Sequence, residues 1–107
     1  MQDRKVIILG TKYTIKPMKL NDEKKGDLTG YIHTYEPIII IDYTCPKSEL
    51  NHGLRHEIIH AFKHESGLRT CEVMNDEQQV DWMAIQFIKI NKVFKELNIL
   101  WKETNKC

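Results

Sequence analysis

The stretch RHEIIHAFKHESG, residues 55–67, sets His56 and His60 four positions apart, with Glu57 directly after the first. On an α-helix such residues differ by about 40° in azimuth and about 6 Å in height. Their imidazoles can therefore converge on one ion at the roughly 2.0–2.1 Å bond length that zinc prefers. Glu57 then stands beside the ion, placed to take a proton from a water that the ion activates. The bland alternative is a solvated polar helix face. Catalytic zinc takes three protein donors and leaves a fourth position for water, and two histidines with one glutamate form a recognised set. Glu77, seventeen residues after His60 and in the first turn of the next expected helix, is the best candidate for the third donor. Asp81 follows one turn later, and its expected task is to accept the free ring N–H of a ligating histidine, which fixes the tautomer.

Other donors compete for the same role. His64 extends the series, but its Cα lies about 12 Å along the axis from that of His56, too far to share one ion on a straight helix. A rim position is expected for it. Cys71, Glu72 and Cys107 reach a metal only where their segments fold inward, and a thiolate there would close the open position and leave a latent enzyme. His33 and His52 read as surface residues. Tyr31, Tyr35 and Tyr43 are candidate donors to a developing oxyanion, with nothing in the sequence to choose among them.

These residues need elements to hold them. KVIILGTKYTIKPM, residues 5–18, is rich in β-branched and aromatic residues, has a Gly-Thr interruption and stops at Pro17. After a polar, lysine-bearing loop (NDEKKGD), residues 30–44 hold two apolar runs around 33–37, as in a hairpin or bent strand, with Pro37 giving the run 38–41 an edge start. A small antiparallel sheet of about three strands is expected. Pro46 and Ser48 signal a helix start and Gly67 a stop, which predicts a helix over 47–66. Its apolar stripe is Leu50, Leu54, Ile58, Ala61 and Phe62; His56, Glu57, His60 and His64 fall on roughly the opposite side. A connection over 68–74 leads to a second helix capped by Asn75 or Asp76, with Val80, Met83, Ala84, Phe87 and Ile88 as the apolar stripe. A last helical piece is expected to pack Val93, Leu97, Leu100 and Trp101 on the core. The fold class is α+β in one domain, residues 1–107.

Composition sets the outer bounds. The 107 residues are 41% hydrophobic and 29% charged, and no apolar run approaches the ~20 residues of a membrane span. Residues 1–30 carry seven Lys or Arg against four acids, 31–66 three against five, and 67–107 six against six. No basic stripe emerges, so neither nucleic acid nor a membrane is expected as a direct partner. The apolar stretch VIIL is too short for a signal peptide, and the odd count of three cysteines, none in a CxxC pair, suits reduced thiols in a cytoplasm.

With these residues placed, LRHEIIHAFKHESGL followed by NDEQQVDWMAIQF resembles the gluzincin metallopeptidases reduced to a catalytic half-domain. It is similar to small proteins of phages and mobile elements of Gram-positive bacteria grouped loosely with the ImmA/IrrE metallopeptidases, and in size to the minigluzincins. The similarity runs over residues 6–94; Gln79-Val80-Asp81 stands where larger ImmA/IrrE relatives carry Glu-Ala-Asn/Asp. The resemblance implies a zincin-like domain in a bacterial cytoplasm, with zinc held by His56, His60 and Glu77, Glu57 as general base and Asp81 steadying His56. It also implies hydrolysis of a protein or peptide substrate, a repressor being one candidate, with an active cleft that a terminal segment can block. The rival expectation is a non-catalytic module whose zinc site is closed or vestigial.

Overall fold

The β-branched run at the start of the chain forms two strands, because a tight turn divides it. In the computed structural model, which describes residues 2–20, 30–67 and 76–100, β1 (Arg4–Ile8) and β2 (Thr11–Met18) pair antiparallel with Ile8 opposite Thr11. Leu9 and Gly10 make the turn at φ 49° and 91°. Two successive positive φ angles match the right-handed twist of a two-residue hairpin, and glycine adopts one of them without steric cost. The second hairpin is β3 (Gly30–His33) and β4 (Ile38–Asp42), joined through 34–37.

The sheet has four strands in the order β1-β2-β4-β3 and is mixed, since β2 and β4 run parallel. This corrects the expectation of about three antiparallel strands. A residue pattern reports which strands exist; which edge the second hairpin joins depends on long-range packing. Pro37 lies in the turn before β4, and β4 itself is paired on both sides, so among the described residues β1 and β3 are the edge strands.

Alternation gives one face of the sheet its apolar surface. Ile32, Ile39 and Ile15 sit side by side across three strands, with Val6 beside Tyr13. Against them packs α1 (Lys47–Glu65), whose Leu50, Leu54, Ile58, Ala61 and Phe62 are all buried, as their spacing predicts. Burying side chains of this size contributes roughly 1.5–3 kcal/mol each. Asp42 starts the lead-in: its carboxylate accepts from the Thr44 amide (2.9 Å) and hydroxyl (2.6 Å), turning the chain toward Pro46. The helix stops at Gly67.

α2 (Asp76–Leu97) is one continuous helix and takes in most of the segment expected as a separate C-terminal piece. It ends where Asn98 takes φ 60°, the Asn98 amide donates to the Lys95 carbonyl and the Ile99 amide to that of Phe94, 3.1 Å each. Ile99 then packs with Phe94 in the core, completing a Schellman-type stop. Val93 and Leu97 are buried as expected, and Leu100 is partly covered. The apolar stripe of Val80, Met83, Ala84, Phe87 and Ile88 is exposed, and Gln86, Ile90, Val93, Phe94 and Leu97 face the core instead. Residues 21–27, the connection over 68–74, Asn75, Trp101 and Cys107 lie outside the described residues. No described helix is long and apolar enough to cross a membrane.

Candidate functional site

α1 is anchored at its middle and at its C-terminal end, and this sets where its polar residues stand. Near its C-terminus the Glu65 carboxylate accepts from the Thr11 hydroxyl (2.7 Å) and from the buried Tyr13 hydroxyl (2.8 Å), tying the helix to β2. Burial first, then the bond to Glu65 and its charge, push the Tyr13 hydroxyl pKa up, so it stays a donor. Midway along, the Arg55 guanidinium donates to the Ile99 and Leu100 carbonyls. The Trp82 indole N–H donates to the Ser66 hydroxyl at 3.1 Å, with the Lys63 ammonium 5.9 Å from its ring. No residue pattern announces these anchors. Each joins residues far apart in sequence, several through backbone carbonyls that carry no residue-type signal.

Held this way, His56 and His60 turn toward one another on the exposed side of α1. Their Nε2 atoms are 3.2 Å apart and their ring centroids 4.8 Å. At zinc–nitrogen bond lengths of about 2.0–2.1 Å, that separation subtends roughly 99–106° at a shared ion, close to a tetrahedral angle. The spacing of the two nitrogens thus matches that of two donors to one tetrahedral ion. In the metal-free protein the same contact needs one ring to donate its N–H and the other to accept it. Burial first, then the charges of His56 and Lys63, hold the His60 pKa below its ordinary value. Each of these favours the neutral ring that a metal requires.

Glu57 differs from its neighbours. It is only 8% exposed, because it lies on the margin of the apolar stripe, 100° beyond His56 and toward Ile58, Ala61 and Leu54. Desolvation pushes its carboxyl pKa up from 4.5 to about 7. The expectation that it shares a solvated side with the histidines is thus corrected: it is a covered carboxyl next to an open imidazole pair.

The carboxylates of α2 stand elsewhere. Glu77 and Asp81 are exposed, and among the described residues no three His, Cys, Asp or Glu side chains gather into a group able to hold a metal. Trp82 is the residue that turns toward α1; Glu77, five positions earlier, lies about 140° around the helix from it. So His56 and His60 are brought together, while Glu77 and Asp81 do not join them in a three-donor group. His64 is half-buried and meets the Tyr35 ring edge-on at 6.2 Å, Tyr31 meets His33 at 5.2 Å, and His52 and Tyr43 are exposed. Cys45 is a free, partly covered thiol; Cys71, Glu72 and Cys107 fall outside the described residues. Comparison with protein-family models, curated proteins and solved structures finds no match.

Proposed function

We propose that this chain is a zinc-dependent metalloendopeptidase that cleaves a protein substrate. The observation that carries the reading is the 3.2 Å approach of the His56 and His60 Nε2 atoms on an exposed helix face. The covered Glu57 carboxyl beside them supports it. Zinc, when bound, supplies a Lewis acid that polarises a carbonyl and brings the pKa of a water down to about 7. His56 and His60 would hold it, with Glu77 nominated as third donor by its spacing and Asp81 as the acceptor for a histidine N–H. Glu57 would accept a proton from the activated water and return it to the leaving amine, its covered position keeping competing solvent from the carboxyl. Substrate would lie extended along β3, an edge strand among the described residues, as an added strand.

The test is metal content and peptide hydrolysis on the same preparations. Glu57→Gln should keep its zinc and lose hydrolysis; cleavage at the parent rate would remove Glu57 from the role of base. Glu77→Ala should sharply weaken zinc binding, and unchanged zinc content would assign the third donor to another residue. Stoichiometric zinc in the parent chain with no turnover of any unfolded protein offered would favour a closed structural site instead.

A further inference from the structure

α2 is apolar on two sides. Its inner side is buried in the core, and its outer side carries Val80, Ala84, Phe87 and Ile88 within an arc of about 100°, flanked by Met83 and Ile85. Val80 is 65% exposed, Met83 41%, Ile85 62%, Phe87 57% and Ile88 78%. Taking roughly 150–200 Å² for each side chain of this size, the five leave on the order of 500 Å² of apolar surface uncovered. A standard protein interface covers about 800 Å² per partner, some 60% of it apolar, so the uncovered area is about what one interface consumes.

Charge is ordered along the same outer side. Glu77 and Asp81 extend it toward the N-terminal end of α2, and Lys95 toward the C-terminal end with Lys92 on the flank nearer β1; all four are exposed. An acid–apolar–base order complements itself when a second copy runs the opposite way, and sets like charges together when it runs parallel. We propose that this face is a homodimer interface in which α2 packs antiparallel on α2 of a second copy. With a two-fold axis near position 86, Asp81 meets Lys92 of the second copy, Glu77 meets Lys95, and Ala84 meets Ile88. The interface does not use the imidazole pair, but it shares Glu77 and Asp81 with the proposed zinc site, so association is read with chelator present, where no metal competes for these carboxylates.

Sedimentation of the full chain with chelator present is the test. The expected species is a dimer of the 12.7 kDa chain with a dissociation constant near micromolar. Ile88→Asp should preserve helicity and weaken association at least about tenfold. Asp81→Lys and Lys92→Glu should each weaken it several-fold, and the double variant should restore it. A chain that stays monomeric at about 100 µM overturns the proposal. So does a dimer insensitive to Ile88→Asp, or a charge-swapped double variant that associates no better than the two single variants.

Discussion

Replacing Glu57 with Gln in the metal-free protein separates a covered carboxyl from a solvated one. The folded pKa of about 7 lies above the unfolded value of 4.5, so the folded chain binds this proton more tightly than the unfolded chain. The resulting contribution to stability is fully present below about pH 4.5 and is lost as pH rises through about 7. A displacement of that size corresponds to about 3 kcal/mol at full value. Water reaching the cleft beside the exposed imidazoles screens part of it, which leaves about 1.5 kcal/mol. Gln has nearly the same shape and carries no charge at any pH. With chelator present, the two proteins should therefore melt together at about pH 4, and Glu57→Gln should be the more stable by about 1.5 kcal/mol at about pH 8. For a domain of this size the gap is roughly 6–12 °C in Tm. His60 titrates in both proteins, so the difference between them isolates position 57. Equal melting temperatures at both pH values would mean that the carboxyl is solvated and that the burial argument is wrong.

Three further outcomes follow from the same packing. Zinc at about a hundred times its dissociation constant should stabilise the chain by about 2.7 kcal/mol, and His56→Ala or His60→Ala should remove most of that gain in a thermal melt. Gly30→Ala should cost about 3 kcal/mol or more in urea titration, because a Cβ there meets the Ile40 carbonyl oxygen and comes within 2.9 Å of Ile41 Cδ1, forcing β3 off β4. Tyr13→Phe should cost about 1.5–3 kcal/mol, the usual loss for a hydrogen bond to a charged group; a loss under about 0.5 kcal/mol would show that Glu65 does not anchor the helix.

Much of the site's backbone is legible in the residues. Pro46, Ser48 and Gly67 place the histidine-bearing helix within a residue of its observed ends, the period of 3.6 from Leu50 to Phe62 picks its buried side, and the four-residue spacing puts His56 and His60 on one side. Periodicity misleads at α2, where two apolar stripes run along one helix. The more conspicuous one, Val80 to Ile88, reads as the core stripe, while the later stripe of Ile90, Val93, Phe94 and Leu97 occupies the core. An apolar stripe at helical spacing identifies a face that avoids water; it does not say whether this chain or another covers it. Glu57 defeats the pattern for a related reason, since one helical step separates the edge of a buried stripe from the open side.

Residue order alone dictates the local geometry: most strand and helix boundaries, the inward stripe of α1, and the closeness of two imidazoles one turn apart. These depend on backbone periods and on residue type, which act over a few residues. Only the assembled fold selects the parallel pairing of β2 with β4, the burial of Glu57, the anchoring of Glu65 by Tyr13, and the turning of Trp82 rather than Glu77 toward α1. Each is set by contacts between segments distant along the chain, where loop closure and core packing choose among arrangements that local pattern leaves equal.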